Sequence, residues 1–96
     1  MRIRIVQSGG LAGLRRERVV ETERLPVAGR EAIEGLVQTC AFFELPERSV
    51  TGLPDVIQYR VCVELSGRSH EVTFDDETAN EPLRELVTRA FEDWEG

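Results

Sequence analysis

Ile57-Gln58-Tyr59-Arg60-Val61-Cys62-Val63-Glu64-Leu65, then Ser66-Gly67-Arg68, then Ser69-His70-Glu71-Val72-Thr73-Phe74-Asp75, is the stretch that decides the fold. Ile57, Tyr59, Val61, Val63 and Leu65 alternate with Gln58, Arg60, Cys62 and Glu64. A period of two puts the apolar set on one face of a strand. After the tight turn, His70, Val72 and Phe74 take the inner face, while Glu71, Thr73 and Asp75 take the outer one. The pair reads as an antiparallel hairpin, ended by Asp75-Asp76.

Downstream, Leu83, Leu86, Val87, Ala90, Phe91 and Trp94 form one stripe of a helix from about Pro82 to Trp94. Glu85 and Arg89 are a favourable i, i+4 pair on it. Upstream, Pro26 belongs in the first turn of another helix, where its missing N–H costs nothing. Ile33, Leu36, Val37 and Cys40 give that helix a buried stripe. Gly29 and Gly35 each weaken it by about 1 kcal/mol relative to Ala, which close packing on a sheet would offset. Phe42, Phe43 and Leu45 make a short apolar exit closed by Pro46, and residues 47–55 read as a polar loop. The N-terminal Arg2-Ile3-Arg4-Ile5-Val6-Gln7 alternates, with Ile3 and Ile5 on one face. A second strand spans about Leu14 to Thr22, although Arg15, Arg16, Glu17 and Arg18 leave it no clean apolar face. The element order is ββαββα. One apolar stripe per helix and one apolar face per strand are satisfied by two layers. The expected fold is α+β, a four-stranded antiparallel sheet with two helices packed on one face. The other face, carrying Arg2, Arg4, Gln58, Arg60, Glu64, Glu71 and Thr73, suits solvent and cross-strand charge pairs.

With 96 residues, the chain is expected to be a single domain over 1–96. A net charge of −6 argues against a general nucleic-acid binder. No apolar run reaches the roughly 18 residues of a membrane span, and Met1 to Val6 is too short for a signal peptide. Two Cys without such a signal imply free thiols in a reducing, cytoplasmic setting. One His and two Cys leave too few ligands for a zinc site, so no metal or cofactor is expected. All 12 basic residues are Arg, which reads as a compositional bias.

No catalytic constellation assembles. Cys40 falls on a buried stripe and Cys62 on the polar sheet face. His70 points inward, opposite to Cys62, as a hydrogen-bonded residue at the core's edge. For Asp75-Asp76-Glu77, a strand end and turn outweighs a cation site. The cluster Arg15, Arg16, Arg18, broken by Glu17, suits an edge strand that resists aggregation.

Ser8-Gly9-Gly10-Leu11-Ala12-Gly13 stands apart. A hairpin turn needs only two or three residues. Here six small or apolar residues include three glycines, which let backbone approach another surface closely. Leu11 sits at the centre. Two readings compete: a flexible loop with Leu11 folded back on the core, and a wedge carrying an apolar anchor for a partner's pocket.

The chain resembles the emfourin family of small bacterial protease inhibitors. The Ser8–Gly13 loop between two strands carries the most specific part. The rest follows in order: Arg24-Leu25-Pro26, Phe42-Phe43-Glu44-Leu45-Pro46, Pro54-Asp55, Tyr59-Arg60-Val61, Gly67-Arg68-Ser69-His70-Glu71-Val72, Asp75-Asp76 and Pro82-Leu83-Arg84-Glu85-Leu86. Leu11 stands where the family often has Phe, and Val56-Ile57 where an aromatic often appears. The resemblance implies a non-enzymatic inhibitor of thermolysin-like (protealysin-like) zinc metallopeptidases, and a monomer is expected. Loop 8–13 would enter the active-site cleft, with Pro54 and Asp55 on a second contact loop. The alternative is a non-catalytic module that binds some other protein or peptide.

Overall fold

The computed structural model describes residues 1–10, 13–53 and 55–92. The expected hairpin is present as β4 (Ile57–Leu65) and β5 (Arg68–Asp75). It pairs antiparallel from Gln58 opposite Asp75 to Leu65 opposite Arg68. Ser66 and Gly67 both take positive φ, 50° and 79°, which matches the twist of a two-residue hairpin. β1 (Arg2–Gly9) lies antiparallel on the other side of β4, from Arg2 opposite Glu64 to Gly9 opposite Ile57. β2 (Leu14–Glu21) pairs with β1 and forms an edge.

A fifth strand corrects the expected sheet. β3 (Arg48–Ser49) pairs parallel with β5, within the stretch read as a polar loop. The sheet is five-stranded and mixed, in the order β2-β1-β4-β5-β3. Two polar residues have no readable period. Backbone pairing alone makes this strand, and the Thr73 N–H also donates to the Glu47 carbonyl at 2.8 Å. It covers the part of β5 that would otherwise stand as a bare edge.

α1 (Val27–Thr39) follows Pro26, which stands at the N-cap, one residue ahead of the helix. The Pro26 carbonyl accepts the Arg30 N–H at 2.9 Å. α2 (Glu81–Ala90) starts at Asn80, whose side chain accepts the Leu83 N–H at 2.9 Å. That cap is worth about 1 kcal/mol. Trp94, placed on this helix from its spacing, lies outside the described residues.

Both helices cover one face of the sheet. Ile33, Val37, Leu83, Leu86, Val87 and Ala90 close over Ile3, Ile5, Val61, Val63, Val72 and Phe74, with Cys40 and Phe42 filling the margin. Gly29 is buried as close packing requires. Gly35 is not explained that way, because a Cβ there would meet no heavy atom within 4 Å. The outer face keeps its charges in solvent, with Arg4–Glu17 at 3.2 Å and Arg60–Glu71 at 3.9 Å. Exposed pairs of this kind contribute at most about 1 kcal/mol each.

Some side chains depart from simple alternation. Asp75, expected to face solvent, is 1% exposed because residues 49–51 fold over it. On β2, Arg16 and Arg18 share the inner side with Val20, opposite Gln7, Ile5 and Ile3. Neither is buried among hydrocarbon. The Arg16 guanidinium lies 4.3 Å from the Phe91 ring centroid, and Arg18 donates to the Glu92 carbonyl at 3.2 Å. Both cap the C-terminal end of α2, where positive charge is favourable.

Candidate functional site

The glycine-rich segment divides between strand and turn. Ser8 and Gly9 belong to the β1 ladder, opposite Arg15 and Leu14 on β2. The connection proper is residues 10–13, where the Gly13 N–H donates to the Gly10 carbonyl at 3.2 Å. Gly9, Gly10 and Gly13 have φ of 96°, 78° and 63°, in the region that favours glycine. Leu11 and Ala12 lie between them in the chain and outside the described residues.

Gly9 also explains how two loops come together. It sits opposite Ile57. A Cβ on Gly9 would lie 3.0 Å from the Val56 carbonyl oxygen. A side chain there would be strained by the positive φ and would require the Val56 backbone to give way. The Gly9–Gly10 end of the hairpin and the segment before β4 therefore share one end of the sheet. Asp55 is exposed on that segment, two residues before Ile57. Pro54, its expected companion, lies outside the described residues.

The second loop is tied down by Asp75. One of its carboxylate oxygens accepts the N–H groups of Glu77 and Thr78 at 2.9 and 3.0 Å. The other accepts the N–H and hydroxyl of Thr51 at 2.6 and 2.8 Å. The Thr51 N–H, followed by these other donors, holds the carboxyl below its usual range. The Asp75-Asp76-Glu77 segment is thus the strand end and turn expected of it, and it also clamps a distant loop. Thr51 in turn accepts the Leu53 N–H at 3.3 Å on its hydroxyl. Leu53 itself is 54% exposed. Hydrophobic periodicity does not single it out. The signal present in the chain was a leucine set between Gly52 and Pro54 in an otherwise polar loop.

Polar side chains brace the inner side of the hairpin. Arg16 donates to Gln7 at 2.6 Å, and Gln7 donates to the Tyr59 hydroxyl at 3.4 Å. Tyr59 stacks on Phe74 at 5.3 Å between centroids. Its hydroxyl pKa is pushed up, first by burial and then by the Asp76 carboxylate.

The remaining candidates sit where their patterns placed them. His70 is half-buried, its Nε2 is 2.8 Å from the Leu45 carbonyl, and its ring meets Phe42 edge-on. Because a carbonyl only accepts, Nε2 carries the proton. Cys40 is buried and Cys62 lies half-buried on the charged face, both as free thiols. Burial raises both thiol pKa values, and Glu71 and Glu64 add to this at Cys62. Neither has the lowered pKa of a nucleophile. Among the described residues, no three His, Cys, Asp or Glu side chains gather as metal ligands. Nor is any helix among them long and apolar enough to cross a membrane.

A family profile described as Emfourin matches residues 5–90. No curated protein and no solved structure matches the chain.

Proposed function

The chain belongs to the emfourin family, which points to a protease-inhibitor role, and from that premise we propose that it inhibits thermolysin-like zinc metallopeptidases. It does so by placing the 8–13 hairpin in the active-site cleft. The observation that carries this reading is the pairing of Gly9 with Ile57, which brings the Gly9–Gly10 end of the hairpin and the Asp55 loop to one rim of the sheet. A cleft enzyme of this class holds a zinc ion with an open coordination position. An apolar pocket lies beside the metal. Leu11 fills that pocket. A loop carbonyl, or the exposed Asp55 carboxylate, takes the place of the zinc-bound water. The flanking β1–β2 ladder fixes the loop ends before contact, so little ordering entropy is lost on binding. The same rigidity opposes the distortion that cleavage needs.

The test is a titration of the purified protein against a protealysin-like enzyme, with Leu11→Asp alongside. A buried anchor predicts a loss of at least about 2 kcal/mol in binding for that variant. An unaltered inhibition constant removes the loop from the mechanism.

A further inference from the structure

We propose that Leu53 is a second apolar anchor of the protease contact, held ready by the buried side chain of Asp75. This rests on the inhibitory reading above. A single exposed leucine is ordinary on a protein surface. What distinguishes Leu53 is how its loop is held.

Burying a carboxylate is costly unless its oxygens are satisfied. The strand-end turn needs only the oxygen that takes the Glu77 and Thr78 N–H groups. The second oxygen reaches a residue 24 positions earlier and takes both donors of Thr51. The same Thr51 hydroxyl accepts the Leu53 N–H. A chain of hydrogen bonds thus runs from a buried ion to the backbone of an exposed apolar residue. Gly52, at φ 80°, provides the bend between them. Thr51 contributes little apolar cover to the core, so the tether acts chiefly on loop geometry.

The location matches the proposed cleft contact. Asp75 pairs with Gln58, next to Ile57, which pairs with Gly9 of β1. Neighbouring strands lie about 4.8 Å apart, so the β5 end that tethers Thr51 is about 10 Å from the β1 end that launches the hairpin. A leucine on that rim meets the lip of the cleft, beside the pocket that Leu11 fills. The partner surface it fits is an apolar shelf on the peptidase. An anchor fixed before contact adds affinity by avoiding ordering costs, and its loss speeds dissociation.

The experiment measures inhibition and dissociation rates against one thermolysin-like peptidase. The variants are Leu53→Ser, Asp75→Asn, the double variant and Leu11→Asp. Leu53→Ser is expected to raise the inhibition constant at least about tenfold, through faster release, without lowering the melting temperature. Asp75→Asn should weaken inhibition in the parent protein and add nothing once Leu53 is gone. A purely structural role for Asp75 predicts the same loss in both backgrounds and overturns the coupling. Should Asp75→Asn not fold, Thr51→Val, at an exposed position, keeps the backbone donor to Asp75 but removes the hydroxyl that joins Asp75 to the Leu53 N–H. If Leu11→Asp abolishes inhibition while Leu53→Ser leaves it unchanged, the second anchor is refuted and the hairpin reading stands. If Leu53→Ser weakens inhibition and Leu11→Asp does not, the anchor stands and the hairpin reading fails. A parent protein that does not inhibit refutes both.

Discussion

Gly9→Ala is expected to destabilise the protein by about 1–5 kcal/mol, and the figure follows from two features of one residue. Its φ is 96°, and an L residue forced into positive φ pays about 1–2 kcal/mol. The new methyl would also stand 3.0 Å from the Val56 carbonyl oxygen and 3.8 Å from the Ile57 Cα. That neighbour is backbone, held by the Gly9–Ile57 pairing, so relief comes only by loosening the ladder, at a further cost of about 1–3 kcal/mol. Against this, the alanine reduces unfolded-chain entropy, returning about 0.4–1 kcal/mol. Gly35→Ala is the matched control. It sits mid-helix with nothing within 4 Å of a Cβ, so it should stabilise by about 0.5–1 kcal/mol. Urea unfolding reads both, and an unchanged m-value confirms that stability alone has moved. In a domain of this size, 1 kcal/mol shifts the melting temperature by about 4–8 °C. A Gly9→Ala protein as stable as the parent would refute the strained approach of β1 to Val56. It would also remove the physical reason for the two loops sharing a rim.

The other predictions concern binding, pH and thiols. Leu11→Asp is expected to weaken protease inhibition by at least about 2 kcal/mol in an enzyme titration, while Leu53→Ser should accelerate dissociation without a change in melting temperature. Asp75 has a lowered pKa in the folded protein. Its contribution is therefore complete above the ordinary carboxyl value of about 3.9 and is lost as pH falls through the lowered one. The protection of the Thr51 and Leu53 amides, taken relative to their intrinsic exchange rates, should persist from neutral pH through the ordinary carboxyl range and fall below it; a loss already near pH 6, in the histidine range, would contradict the clamp. Cys40 is 3% exposed and Cys62 only half-buried. A thiol reagent at neutral pH should titrate Cys62 slowly in the native protein and both cysteines in urea; rapid native labelling of Cys40 would contradict the packing.

How far each element could be read depended on whether its residues pattern themselves. The β4–β5 hairpin and both helical stripes carry their own period, because each has one wet and one dry side. β3 carries none, being two polar residues recruited by the backbone of β5. β2 was illegible in its facing, since Arg16 and Arg18 turn inward toward Phe91 and Glu92 rather than into hydrocarbon. Asp75 misled by alternation. It occupies an outward position that residues 49–51 then cover. In the candidate site, the glycine-rich segment was visible by composition, although Ser8 and Gly9 proved to be strand residues. Leu53 went unseen because its constraint comes from a carboxylate beyond its own segment.

Local chemistry in the chain thus determined the α+β class, the central hairpin, the buried stripes and an unusual glycine-dense connection. Each of these follows from side chains sorting between water and hydrocarbon along a short stretch. The strand order, the approach of Gly9 to the segment before β4, and the Asp75–Thr51 tether were decided only in three dimensions. They join residues tens of positions apart through backbone pairing and hydrogen bonds, which leave no period in the sequence.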